Sequence, residues 1–365
     1  MTNKETRRNV LKALLAGGLG TVALSLEEKI LVKRLSANTD APVLGDDDFE
    51  FASRYSAAKY EVDGATGATR TSFELPKRAA LNEKLPCSTL CGIKLSRVIL
   101  GGNLLTGFVH SRDLVYVGRL ARSYNTKEKV YETMQLAEEC GMNAFVAYPG
   151  VVNMLRDYYN EVGGEIRYIS DCRSPAQIRK AVDFGAKAVY LNGDWSDGTV
   201  AQGGFDALKE CIDTAHGLNR PCGLGAHRIE TLVQAVTNGI RPDFFMKTYH
   251  SRDYWSAENT RELDNIFCRD AEETRAFMAD RPEPWIAFKV CAAGAIMSEV
   301  GLRYAFEGGA DFVALGMFDF QLVDNVNAAV GILKSDLRRT RPWQSPSLPP
   351  WEPGEEEDGD DGQIG

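Results

Sequence analysis

The feature that most constrains this chain is a rhythm. Eight short apolar runs, Arg97–Asn103, Asn143–Tyr148, Arg167–Cys172, Ala188–Asn192, Cys222–His227, Phe244–Thr248, Trp285–Val290 and Phe312–Met317, alternate with helical patterns over 126–140, 151–160, 174–184, 204–217, 229–238, 271–280, 298–307 and 322–338. A helix between two strands returns the chain to the same edge, so consecutive strands run parallel. Eight such units are enough to close the sheet, and we read an α/β chain folded as a (β/α)8 TIM barrel over 85–340. An open doubly wound sheet is the architectural alternative.

The punctuation agrees. Ser174-Pro175-Ala176-Gln177 offers a capping hydroxyl, a proline for the first turn and a glutamine three residues on. Asp270 with Glu273 repeats that pattern, and Gly185, Gly239 and Gly308 stand where helix ends favour left-handed glycine.

The flanks have different compositions. Paired arginines in Thr6-Arg7-Arg8-Asn9-Val10-Leu11-Lys12 precede an apolar run from Ala13 to Leu26, which resembles a twin-arginine export signal. This implies an exported, periplasmic or extracytoplasmic protein that meets the twin-arginine machinery already folded. The run is shorter than the roughly 20 residues of a membrane span. Cleavage near Ser36-Ala37 and retention as an anchor both remain open, so 1–37 is a signal or anchor and the membrane is met only there. Residues 38–84 read as a linker or irregular extension, and 341–365 as a Pro-rich, acidic, disordered tail. Seven acidic residues between Glu352 and Asp361 account for most of the net charge of -9, leaving a nearly balanced body without a basic stripe for nucleic acid. The eight cysteines are scattered singly, as buried free thiols would be; only Cys87 and Cys91 hint at a local bridge or metal pair.

Chemistry in such barrels gathers at the C-terminal strand ends. Here those ends are polar: Asn103, Tyr148, Asp171, Asn192, His227, Lys247, Lys289 and Asp319, with His110, His250 and Trp255 in adjoining loops. Alternation pairs Phe245 with Lys247 and Ala287 with Lys289. Taking Ile286 and Phe288 as helix-facing turns both lysines into the lumen on neighbouring strands, about 5 Å apart. Proximity and burial would then lower an amine pKa and make a Schiff-base nucleophile. The bland alternative pairs each lysine with Asp171, Asp194 or Asp319. His227 and His250 are the proton-transfer candidates. Gly294 and Gly316 sit where barrels bind phosphate through backbone N–H groups, or merely turn. His227, His250 and Asp171 form the candidate divalent-metal set.

Two resemblances add to this. Thr89-Leu90-Cys91-Gly92-Ile93-Lys94-Leu95-Ser96 and Arg97 to Gly102, with Gly301-Leu302-Arg303-Tyr304-Ala305, Leu315-Gly316-Met317 and Asp324-Asn325-Val326, resemble the opening hairpin and closing segments of aldo/keto reductases. That resemblance implies a barrel and an NAD(P) cofactor. The family's catalytic positions do not carry over. An aspartate and tyrosine expected after Gly141-Met142-Asn143 are replaced by Val146 and Gly150-Val151, a histidine by Asn192, and a cofactor-holding basic residue by Phe318-Asp319-Phe320. Locally, Asp243-Phe244-Phe245-Met246-Lys247-Thr248 and Lys289-Val290-Cys291-Ala292-Ala293-Gly294 resemble the lysine strands of deoxyribose-phosphate-aldolase-type class I aldolases. This implies Lys247 as Schiff-base nucleophile and Lys289 as its perturber. The expectation is a lyase or isomerase for a small carbonyl or sugar-like substrate bound by Asn103, His110, Asp171, Asn192, Trp255, Gly294, Gly316 and Asp319. A diverged reductase, a metal-dependent barrel enzyme and a non-catalytic binding protein are the alternatives.

Overall fold

A computed structural model describes residues 80–355 except Asp113, Trp255 and 258–266. The twin-arginine segment, the extension to residue 79, Trp255 and the acidic residues from 356 on lie outside the described residues.

A hairpin of β1 (Cys87–Leu90) and β2 (Ile93–Ser96) opens the fold. Eight parallel strands follow: β3 (Val98–Gly101), β4 (Ala144–Ala147), β5 (Arg167–Cys172), β6 (Ala188–Leu191), β7 (Cys222–Ala226), β8 (Phe244–Thr248), β9 (Trp285–Phe288) and β10 (Phe312–Leu315). They pair in chain order and β10 closes on β3. The helices are α1 (Gly102–Leu105), α2 (Val117–Tyr124), α3 (Lys127–Glu139), α4 (Val152–Val162), α5 (Pro175–Phe184), α6 (Gly193–Ala201), α7 (Phe205–Gly217), α8 (Ile229–Thr237), α9 (Ala271–Ala279), α10 (Ser298–Glu307) and α11 (Asp319–Lys334). All eight predicted strands and all eight predicted helices are present within a few residues. The short α1, α2 and α6 add to the expected elements: α1 is a single turn and α6 has no clear apolar stripe, whereas α2 does place Val117, Leu120, Ala121 and Tyr124 at helical spacing.

Two apolar layers hold the barrel. Ile99, Val146, Ile169, Tyr190, Phe244, Met246, Ile286 and Phe312 fill the lumen, and Leu90, Ile93 and Leu95 of the hairpin join them. The outer layer packs the alternate strand residues, among them Phe145, Leu224, Phe245 and Ala287, against the helices. This corrects the expected facing of two strands. Ile286 and Phe288 look into the lumen, and Phe245 and Ala287 look outward. Strands buried on both faces show alternation but not its sense, so the pattern alone is symmetric.

Two other expectations change. Gly308 is not left-handed (φ -66); Gly309 is, at φ 104. Glycine is needed at 308 because a Cβ there would fall 2.4 Å from the Tyr249 ring. The stretch from Arg341 to Glu355, expected to be disordered, packs beneath the barrel. Arg341 pairs with fully buried Asp311, which also accepts the Trp285 and Gln344 N–H groups at 3.0 and 2.9 Å. Trp343 lies between the guanidinium groups of Arg97 (4.0 Å) and Arg339 (3.3 Å). Leu348 bridges to Cys87, and Trp351 is buried. Composition suggested a tail, but these tryptophans and arginines find partners only in the folded barrel. All eight cysteines are free thiols; Cys87 is buried and Cys91 exposed at the hairpin turn, so the hinted bridge is absent.

Candidate functional site

The chain leaves β7 at His227 and β6 at Asn192, and the two exits are tied together. The Asn192 side chain caps α6, its Oδ1 accepting the Trp195 N–H at 3.2 Å, while its Nδ2 donates to Asp171 Oδ2 at 3.1 Å. One turn into α6, Asp197 reaches across to β7. Its Oδ2 lies 3.0 Å from both the backbone nitrogen and the Nδ1 of His227, and its Oδ1 accepts the Thr231 hydroxyl at 2.6 Å. Burial alone would raise the Asp197 pKa. The bonds from His227 and Thr231 outweigh it and hold the carboxylate below its ordinary value. A carboxylate only accepts, so Nδ1 carries a proton towards Asp197, and in the neutral tautomer that this contact selects Nε2 is the acceptor. Nε2 makes no hydrogen bond among the described residues.

The aromatic surroundings place that ring. His227 lies 6.0 Å from Phe267 and 5.6 Å from Phe288, centroid to centroid. The Lys289 ammonium sits 3.5 Å above the Phe267 ring and 6.0 Å from Phe288. His110, from the long connection after β3, also meets Phe267, 5.0 Å away edge-to-face. Phe267 therefore joins three of the predicted polar residues, His110, His227 and Lys289, at the barrel mouth. Lys289 lies just past β9 with φ 56, so strand alternation no longer governs where it points. Further on, Ala292 and Ala293 take left-handed backbone (φ 44 and 54), which is costly for residues with a Cβ, and Gly294 follows at φ 79, where glycine is at ease.

Asp171 follows lumen-facing Ile169 by two residues and so points inward beside Asn192. Burial raises its pKa, against the opposing pull of Asn192 and Arg173. Asn103 is exposed on α1. Gly316 is exposed at the end of β10, facing Gly101 of β3, whose Cβ would meet the Gly316 nitrogen at 2.8 Å. That close approach is a packing reason for glycine at 101.

Three predicted site residues have other roles. Lys247 is fully buried and faces the outer layer with Phe245. Its ammonium donates to the carbonyls of His227 (2.7 Å) and Thr248 (3.1 Å) and to the Thr248 hydroxyl (3.2 Å), with Asp270 Oδ1 at 3.6 Å. It therefore ties the ends of β7, β8 and the entry to α9. Its partner is Asp270, not Asp171, Asp194 or Asp319. Asp270 in turn does not cap α9; its carboxylate also accepts from the Ile229 N–H and the Thr274 hydroxyl. His250 is likewise fully buried. Its Nε2 accepts from the backbone of Phe267 (3.2 Å) and Cys268 (3.0 Å), and its Nδ1 donates to the Ser251 carbonyl at 2.8 Å. Burial holds its pKa below the ordinary 6.5, more than the Ser251 bond restores it. With both nitrogens engaged, His250 anchors the Phe267 loop and neither relays protons nor joins His227 and Asp171 on a metal. Among the described residues no group of three or more His, Cys, Asp or Glu is placed to hold a metal ion. Asp319 is engaged by Tyr124 (2.7 Å) and Lys129 (3.1 Å). A cavity of about 290 Å³ lies at the opposite face, lined by Tyr159, Tyr168 and Trp351, remote from these groups.

Asp197, Asp270, Thr248 and Phe267 were missed. No spacing signals them: each reaches its partner through the closure of the barrel. Asp197 had one available clue, as an acid one turn past the helix-capping Asn192.

No protein-family model and no curated protein matches the chain. Solved structures do. A putative aldo-keto reductase from Pseudomonas aeruginosa is 16% identical with a TM-score of 0.51, covering 71% of this chain and 100% of that one. A truncated 3-deoxy-D-arabino-heptulosonate 7-phosphate synthase from Thermotoga maritima is 13% identical with a TM-score of 0.44, covering 68% and 92%. At such identity the likeness to the reductase is one of fold, and it fits the observed hairpin-capped barrel.

Proposed function

We propose that the barrel is an exported lyase or isomerase that enolises a small carbonyl or sugar-like substrate, with His227 as the base and Lys289 as the cation beside the carbonyl oxygen. The observation that carries this is the pairing of His227 with Asp197 (3.0 Å) in the aromatic group that also holds Lys289. In this reading His227 Nε2 takes a proton from the carbon next to the carbonyl. Asp197 fixes the tautomer and stabilises the imidazolium that results. The negative charge moves to the carbonyl oxygen, where the Lys289 ammonium meets it. Asp171 and Asn192 receive substrate hydroxyl groups, and Phe288 packs against the carbon skeleton.

A Schiff base requires a neutral, reachable amine. Lys247 is sealed among acceptors, and Lys289 lies 3.5 Å over the Phe267 ring, where a cation is attracted by the ring face. The geometry therefore favours the non-covalent route.

The test is deuterium exchange at the carbon next to the carbonyl, across a panel of sugars and keto acids, with borohydride trapping alongside. His227→Asn should abolish exchange, and Lys289→Met should slow it without changing the fold. Exchange that persists in His227→Asn sinks the proposal. A borohydride-stable adduct on Lys289 would restore the Schiff-base route. Melting-temperature increases with NADPH would instead favour the diverged reductase. Export rests on Arg7-Arg8 ahead of the apolar run from Ala13. Replacing both arginines by lysine should retain the protein in the cytoplasm of a bacterial host.

A further inference from the structure

Seven of the eight exposed large hydrophobic residues among the described residues belong to two segments at the mouth. Phe108, Leu114, Val115, Tyr116 and Leu120 lie on the excursion after β3, and Met297 and Val300 at the start of α10 after β9. In the barrel β3 and β9 flank the same strand, β10, so both segments rise from one side of the rim. A folded domain seldom leaves this much apolar surface on one edge without a use for it.

The shape and charge of the excursion indicate its occupant. Val115 is 92% exposed and its neighbour Tyr116 61%. This is a projecting tip rather than a groove for a peptide. Leu120 continues the apolar surface one turn into α2, at 62% exposure. Arg112, Arg119 and Arg122 are interleaved with these residues, and Asp113 is the single acid between Gly102 and Asn125. Apolar tips that enter the headgroup region, a tyrosine at the boundary and arginines reaching anionic headgroups are the parts of an interfacial membrane contact. A second copy of this chain would bring the same arginines together and repel.

We infer that the excursion from Phe108 to Arg122 docks the barrel mouth on an anionic phospholipid surface. The apolar segment at Ala13 to Leu26 would add a second, independent hold on the same membrane. The inference does not depend on the proposed reaction.

Hydrogen exchange of the full chain tests it, in buffer, with phosphatidylcholine vesicles, and with vesicles containing phosphatidylglycerol. The amides of 108–122 should exchange at least about fivefold more slowly on phosphatidylglycerol vesicles and little changed on phosphatidylcholine. Val115→Asp and Arg119→Glu, both at exposed positions, should remove that protection and leave the melting temperature unchanged. Unaltered exchange of this segment overturns the inference, including when the protein sediments with vesicles, since the N-terminal run then acts alone. Protection that grows with protein concentration in buffer also overturns it, because the surface then joins two copies.

Discussion

Replacing Lys247 by methionine separates a structural ammonium from a catalytic one. Methionine keeps the packing of the side-chain stem and deletes the charge. Asp270 retains the Ile229 N–H and the Thr274 hydroxyl but loses its cation at 3.6 Å, in a side chain only 15% exposed. Breaking a buried ion pair from one side costs about 3–5 kcal/mol. The Thr248 carbonyl loses a donor at 3.1 Å, worth about 1 kcal/mol. The His227 carbonyl keeps the Thr248 hydroxyl at 2.9 Å and adds little. The partial exposure of Asp270 favours the lower end of the pair term, so the net loss is about 4 kcal/mol. In a domain of this size each kcal/mol moves the melting temperature by roughly 2–4 °C, giving a fall of about 8–16 °C. Circular dichroism melts and urea midpoints of the full chain measure it. Adding Asp270→Asn removes the stranded charge and should recover a good part of the loss. A Lys247→Met protein that melts within about 2 °C of the parent refutes the reasoning, for the ammonium would then be unpaired and open to catalysis.

Three further outcomes follow from the same geometry. Burial raises the Asp171 pKa above its ordinary 3.8, so the charged form costs stability above the folded value and the cost vanishes below 3.8; Asp171→Asn should melt higher at pH 7 while weakening substrate binding. Burial lowers the His250 pKa from 6.5, so the unfolded chain takes up the proton first: stability is full above 6.5 and declines as pH falls towards the folded value, and His250→Gln should flatten that decline in melting temperature measured between pH 7 and 5. Truncation before Arg341 should lower the melting temperature sharply, since Asp311 is fully buried and loses its closest cation; Arg341→Met should cost about 3 kcal/mol by urea denaturation, and a truncated chain as stable as the full one would refute the packed strap.

The sequence by itself determined the barrel and the end at which its polar residues gather. Eight periodic switches between strand and helix are local facts, and their number favoured a closed parallel barrel over an open doubly wound sheet, a choice that the pairing of β10 with β3 settles. Which lysine reaches the mouth was a different kind of question. Phe244 to Thr248 and Trp285 to Phe288 are apolar on both faces, so their alternation is the same whether Lys247 looks into the lumen or out. Only packing decides it, by placing Phe244, Met246 and Ile286 inside. The positive φ of Lys289, the reach of Asp197 from α6 to His227, and the pairing of Asp270 with Lys247 join residues up to 30 positions apart. Such contacts exist only after the ring of strands has closed, and no spacing along the chain encodes them. The same holds for Arg341 to Trp351, which has the composition of a tail and is held in place by Asp311 and β1, partners that the barrel alone provides.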